Sequence, residues 1–446
     1  MQRPIILLLI LIAGSVKCLC QIDSIPFDFS RTPDAACGVY IENLLTGDVL
    51  VDVNGDMPLI PASVTKLVTA ATVLENTSKE FRYSTKVYAS GSLRDSVLRG
   101  NIVVKTSGDP TLESAYFPEQ KGFADSVAIS LRMMGVNKIT GTVMIDSDKH
   151  LEEPVPDGWM ESDLPWGYGT GYHAVNFRDN CFVLSLPDKA SVPYVPDLDV
   201  VVRKAKGKPV YSRNRGNKSI YVSGRIPKKG VREKLANPNP SGTLKAEIEG
   251  KLREYGIELE GSHVQSWSNK LIYDHQSAPL IEILKSLMFR SDNMMAEAML
   301  KLSKPGASRQ KAAENEMKLW QKRRVDTTGL SLEDGSGLSR RNRLSAYFIA
   351  DILAWKGMEH LDFDYVALFP RCGEEGTVRN LLKDTPLQGK VAMKSGTMSG
   401  VKCYAGYALS EDDMPTHIIV IMVNGYKDSM AKLKKEIENL LLENIS

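Results

Sequence analysis

The two ends of this chain share one texture and the middle has another, a pattern that limits the possible architectures more than any other feature. Gly38 to Asn54 alternates apolar and polar residues like two strands, with Thr46-Gly47-Asp48 suited to the tight turn between them. Pro61 then opens a helix in which Val64, Leu67, Val68, Ala71 and Leu74 form one stripe at helical spacing. Toward the other end, Gly389 to Leu409 and His417 to Val423 are again strand-like. Met430 to Leu442 carries Leu433, Ile437, Leu440 and Leu441 on one side of a helix, a stripe better suited to packing on its own sheet than to lying on a membrane. Between Tyr83 and Lys270 the chain changes to short strands and proline-rich loops, among them Pro154, Pro156, Pro165, Pro187, Pro193, Pro196, Pro238 and Pro240. One α/β unit built from both ends and interrupted by an insertion is the expected organisation.

With 446 residues, 43% of them hydrophobic and 25% charged, the chain has enough apolar surface for two or three domains, each with its own core. The first residues read as an address. Arg3 precedes the aliphatic run Ile5 to Ile12, and Cys18-Leu19-Cys20 places small residues before a cut ahead of Gln21, which predicts a secretory signal over residues 1–20. Lys17 directly before Cys18 fits a lipoprotein signal poorly, and no apolar run is long enough for a transmembrane anchor. Cleavage leaves 54 basic and 54 acidic residues, a balance that gives little general attraction for nucleic acid or an anionic membrane. Arg203 to Lys234 holds twelve basic residues and one acid, Glu233, and is read as a solvated surface with a local positive field. Cys37, Cys181, Cys372 and Cys403 remain, too widely spaced for a thiolate metal site, and the sequence does not decide between disulfides and buried thiols.

Three short segments carry chemistry. Pro61-Ala62-Ser63-Val64-Thr65-Lys66 puts Ser63 in the first helical turn with Lys66 three residues later on the same face, where an amine reaches a hydroxyl. A serine hydroxyl is a weak nucleophile until a base takes its proton, and a lysine is that base only when neutral. From a reference pKa of ~10.4, burial or a neighbouring cation must therefore lower Lys66. The helix N-terminus also favours negative charge developing on a bound carbonyl oxygen. Ser-x-x-Lys recurs at Ser308, Ser399 and Ser429, so the spacing counts only with its setting and company. Arg290-Ser291-Asp292-Asn293 follows the helical stretch Leu280 to Phe289 and presents a hydroxyl and an amide, although a helix cap alone accounts for those residue types. Met393-Lys394-Ser395-Gly396-Thr397 lies in strand-like sequence. There, Gly396 permits close approach of a ligand to the backbone and Lys394 offers a fixed positive charge to a carboxylate.

With these segments in this order, the chain resembles the serine-type D-Ala-D-Ala carboxypeptidase/endopeptidases of the class C low-molecular-mass penicillin-binding proteins, peptidase family S13. The resemblance spans nearly the whole mature chain, through Ser107-Gly108-Asp109-Pro110-Thr111-Leu112, Ser291-Asp292-Asn293-Met294-Met295-Ala296-Glu297, Asp334-Gly335-Ser336-Gly337-Leu338-Ser339 and Gly373 to Val378. The long interval from Ser63 to Ser291 fits a family in which extra domains interrupt the catalytic one. Ser395 departs from the threonine usual there but keeps the hydroxyl. The resemblance implies that Ser63 attacks the carbonyl of the penultimate D-alanine and that Lys66 activates it. Ser291 and Asn293 would relay a proton to the leaving amine and hold the substrate amide. Lys394 would bind the terminal carboxylate and help keep Lys66 neutral by like-charge repulsion, within a substrate-binding strand that includes Ser395, Gly396 and Thr397. Backbone N–H groups of Ser63 and Thr397 would form the oxyanion hole. Water would complete hydrolysis with no metal or cofactor, and penicillin would acylate the same serine and inhibit.

The expected fold is therefore α/β (α+β): an α/β/α catalytic domain with an antiparallel sheet, from residues 21–82 and 270–446, interrupted by two smaller β-rich domains. Residues 83–150 with 220–269 would form one and 151–219 a nested second. The expected partners are peptidoglycan stem peptides and β-lactam inhibitors, in a periplasmic or extracellular setting, with no nucleic acid. A serine β-lactamase is the first alternative and needs a positioned carboxylate, for which Glu161 and Asp163 are candidates; a wall-binding pseudoenzyme is the second. Asp146-x-Asp148-x-His150 reads as a polar turn rather than a metal site.

Overall fold

The computed structural model describes residues 25–147, 153–262, 265 and 268–445. The expected secretory signal, and Asp148 and His150 of the polar turn, lie outside these. The first hairpin pairs Ala36–Asn43 with Asp48–Val53. Its turn is set by the Asn43 side chain, whose Oδ1 accepts from the backbone N–H groups of Leu45 and Thr46, and by Gly47 at φ +76°. Ala36–Asn43 also pairs along its whole length with Pro415–Asn424. Val401–Leu409 and then the edge strand Val391–Met398 complete a five-stranded antiparallel sheet.

Period-two alternation divides this sheet between two cores. Ile418, Val420 and Met422 face a core shared with the helices Thr65–Asn76, Leu280–Arg290, Asn293–Ser303 and Ala346–Ala354. Ile419, Ile421 and Val423 face the opposite way, onto Leu433, Ile437, Leu440 and Leu441 of the closing helix Met430–Asn444. The stripe that could have lain on a membrane is thus spent on the sheet. The result is a three-layer α/β/α unit whose first and last segments are hydrogen-bonded neighbours. Each fully buried aliphatic side chain in it, such as Leu67 or Ile419, contributes about 1.5–3 kcal/mol relative to exposure.

The insertion leaves this unit after the Ser63 helix and re-enters it before Leu280. A six-stranded mixed sheet contains Ser84–Arg94, Val97–Lys105, Val143–Asp146 and Asn269–Gln276. Its core is closed by the helices Phe123–Met133 and Pro240–Glu254. Two three-stranded sheets share a further small core; one contains Cys181–Leu186 and Val231–Ala236, the other Asp199–Arg203 and Ser219–Ser223. Their pairing carries the chain to Ala236, so the boundary expected at 219/220 falls inside one of these strands. The four cysteines Cys37, Cys181, Cys372 and Cys403 are buried free thiols.

Candidate active site

Ser63 lies in a short 3-10 turn, Ala62–Val64, that runs straight into the helix Thr65–Asn76. Ala62 adopts φ +46°, a left-handed conformation costing an alanine about 1–2 kcal/mol. Gly337 crosses so close that a Cβ there would stand 1.8 Å from the Ala62 carbonyl oxygen, which excludes a side chain at that position. The bend leaves Ser63 half-buried between buried neighbours. Lys66, one helical turn on, is completely buried and has three donors. They go to Ser63 Oγ at 3.0 Å, Asn293 Oδ1 at 2.7 Å and the carbonyl oxygen of Ser336. Burial pulls this amine down to about 8 against the opposing charges of Asp334, Asp292 and Glu297. A lysine so placed is part neutral near physiological pH and can take a proton from the serine hydroxyl.

Ser291 and Asn293 flank a joint between two helices. Ser291 ends Leu280–Arg290 at φ +60°, and Asp292 caps Asn293–Ser303 by accepting from Met295 N–H at 3.0 Å. Only Ser291 and Asp292 separate the two helices, so the Ser291 hydroxyl and the Asn293 amide are set by the end of one helix and the start of the next. An ammonium can only donate, so the Asn293 amide turns its oxygen to Lys66. Its Nδ2 is then free to donate to the backbone oxygen of Tyr168, at 2.8 Å, a residue contributed by the insertion.

The strand Val391–Met398 closes the opposite wall. Lys394 is fully buried and donates to Ser291 Oγ at 2.9 Å and to its neighbour's carbonyl, Ser395 O, at 2.8 Å. Ser395 Oγ donates to Thr377 Oγ1 at 2.7 Å, and Lys402 Nζ to Thr397 Oγ1 at 2.9 Å. Gly396 brings the strand against the Ser63 turn: a Cβ there would stand 2.8 Å from Pro61 O and 3.0 Å from Ser63 N. Burial holds the Lys394 amine well below the usual lysine range, with the charges of Lys66 and Lys402 adding to the effect. Burial is the largest cause for both amines, and the repulsion between their like charges opposes protonation of each in the presence of the other.

The residues singled out from the sequence form two hydrogen-bonded groups, Ser63–Lys66–Asn293 and Ser291–Lys394, brought together by the two-residue joint between Ser291 and Asn293 and by the approach of Gly396 to Ser63 N, while Ser395 and Thr397 share the Lys394 strand and bond to Thr377 and Lys402. Sequence reasoning assigned no part to two backbone oxygens and three acids around Lys66 and Asn293. Ser336 and Tyr168 act through backbone oxygens, which leave no trace in residue type. Glu297, Glu316 and Asp334 are fully buried acids. Asp334 takes the Trp159 indole N–H at 2.8 Å and the backbone N–H groups of Gly337 and Ser339, fixing the loop that presents Ser336. Glu297 accepts from Ser336 N–H at 3.0 Å; burial raises it to about 7. Burial raises Glu316 to about 8. Thr69 has one hydroxyl proton, and Gly335 O is its nearer acceptor at 3.0 Å, so the 3.2 Å contact with Glu316 is satisfied when the acid is protonated and donates. Asp163, a β-lactamase candidate, accepts from the Tyr168 hydroxyl at 3.1 Å.

The model of the D-Ala-D-Ala carboxypeptidase 3 (S13) family matches residues 19–444. The chain belongs to this family. It is 30% identical to a D-alanyl-D-alanine carboxypeptidase of an Actinomadura species over 424 residues, covering 84% of this chain and 75% of the relative. It is 26% identical to the D-alanyl-D-alanine carboxypeptidase DacB of Haemophilus influenzae over 437 residues, covering 89% and 88%. The fold of this S13 member superposes on the crystal structure of penicillin binding protein 4 from H. influenzae with a TM-score of 0.81 at 24% identity, covering 93% and 98% of the two chains. This S13 chain is thus a serine peptidase of the D-Ala-D-Ala carboxypeptidase class.

Proposed function

We propose that this S13 peptidase is exported and removes the terminal D-alanine from, or cuts crosslinks between, peptidoglycan stem peptides through an acyl-enzyme on Ser63. The observation carrying this reading is the contact of the completely buried Lys66 amine with Ser63 Oγ at 3.0 Å, with Asn293 Oδ1 on the same amine at 2.7 Å. Lys66 takes the hydroxyl proton as Ser63 attacks, and Ser291 and Asn293 pass a proton to the leaving amine and hold the substrate amide. Lys394, in the strand with Ser395, Gly396 and Thr397, receives the terminal carboxylate; the arriving anion supplies the counter-charge that restores its proton. In this reading the backbone N–H groups of Ser63 and Thr397 form the oxyanion hole. Water then releases the shortened peptide. Relatives of this fold include a penicillin binding protein 4 complexed with a β-lactam, which supports penicillin as an inhibitor here. Among the described residues no helix is long and apolar enough to cross a membrane. We further propose a catalytic domain of residues 21–82 and 270–446 around two inserted units, the nested one ending near Ala236.

Incubating the purified protein with a defined muropeptide ending in D-Ala-D-Ala, and with a crosslinked dimer, should release D-alanine or monomers. Mass spectrometry with penicillin should find one acyl group, on Ser63. Rapid penicillin turnover without peptide cleavage would establish a β-lactamase instead, and binding to sacculi with neither reaction a pseudoenzyme.

A further inference from the structure

We propose that the nested unit holds a separate binding site for a small carboxylate ligand, seated on Arg213. A cavity of about 340 Å³ is lined there by Arg213, Arg215, His173, Glu153 and Asp157 among others, a size suited to a small molecule. Arg213 is only 6% exposed, and its Nε is buried with no hydrogen-bond partner among the described residues. No carboxylate among the described residues pairs with it, unlike Arg178, which grips Glu247 in a two-pronged pair at 2.9 and 2.6 Å. Arg215 has different work, donating to the carbonyls of Val155, Pro156, Asp157 and Trp159. A desolvated cation without a partner is costly, and such groups recur where a ligand supplies the missing charge.

His173 adds direction. Its Nε2 stands 3.2 Å from Thr170 O, so in the neutral ring Nε2–H donates and Nδ1 is the bare acceptor. Burial and the Arg213 charge keep the ring neutral, holding it down at about 4. The planar two-oxygen carboxylate matches a guanidinium fork. Glu153 and Asp157, both exposed, share the lining; they disfavour a doubly charged phosphate and suit a ligand whose other end donates through hydroxyl or amine groups. That is the chemistry of an amino acid or an acidic sugar. The run of basic residues from Arg203 to Lys234 supplies a field that draws anions toward this unit.

Calorimetric titration of the full chain with D-alanine, with N-acetylmuramic acid and with inorganic phosphate tests this, alongside NMR of the His173 ring assigned through His173→Gln. At least one carboxylate should bind saturably and raise the His173 midpoint by cancelling the Arg213 charge. Arg213→Met should weaken binding tenfold or more while leaving penicillin acylation and the melting temperature unreduced, because no protein partner is lost. Arg213→Lys, which keeps the charge but not the fork, should weaken it partly and carries the test should the Met variant not fold. The amino acid and the sugar distinguish the two sources of carboxylate. The proposal is overturned if neither carboxylate saturates, if Arg213 variants bind as well as the parent, if His173 does not respond, or if phosphate binds as tightly as the carboxylates.

Discussion

Acylation by penicillin should follow the proton on Lys66, and a single substitution should move that dependence in a known direction. With the amine at about 8, the neutral fraction is about one in eleven at pH 7 and ten in eleven at pH 9, so the acylation rate constant should rise about tenfold between them and then level. Glu297 is one of the three acids that hold Lys66 up. At about 7 itself, it is mostly ionised where Lys66 titrates. Glu297→Gln keeps an acceptor for Ser336 N–H but removes the negative charge, so Lys66 loses its proton more readily. The rising limb should move to lower pH by up to about half a unit, and because Glu297 is itself about half protonated at pH 7 the rate there should increase about one-and-a-half-fold. Stopped-flow measurement with a fluorescent penicillin across this range gives both curves. A flat profile in the parent would refute the assignment of Lys66 as base. A limb that stays put or moves upward in Glu297→Gln would refute the electrostatic account.

Asn293→Ala removes one of three acceptors from buried Lys66 and the link to Tyr168 O; a charged hydrogen bond worth about 1.5–3 kcal/mol should slow acylation ten- to a hundredfold, read by the same assay. Gly396→Val forces the edge strand away from Pro61 O and Ser63 N, so penicillin labelling should be lost while circular dichroism shows the sheet retained. Glu316, raised from 4.5 to about 8, binds more protons folded than unfolded in that interval, so its contribution is full below pH 4.5 and lost as pH rises toward 8. Glu316→Gln should therefore melt higher than the parent at pH 8, with the advantage vanishing in acid; a uniform loss at all pH values would contradict this.

Much of this architecture can be read from the residues because their local and global preferences agree. The hairpin after Gly38, the stripe of the Ser63 helix and the alternation of His417 to Val423 each specify an element and the face it buries. The insertion is harder. Phe123, Val127, Ala128 and Leu131 do carry a helical stripe, but it is short and stands alone among strand-like segments, and the boundary near Ala236 depends on pairing across 45 to 55 residues that no local pattern encodes. In the cleft, side-chain types were legible and their charge states were not. Lys394 reads as a fixed cation until its burial beside Lys66 is known. The same holds for Glu297 and Glu316, whose acidity is a property of the walls around them rather than of their place in the sequence.

The hydrogen bond from Asn293 to Tyr168 O means the inserted segment is not a detachable ornament. A minimal enzyme made by splicing residue 82 to residue 270 could still fold its sheet, yet its key amide would be free to swivel and the lysine beneath it would lose a fixed oxygen. Trimming of the insertion should therefore stop short of the loop that carries Tyr168.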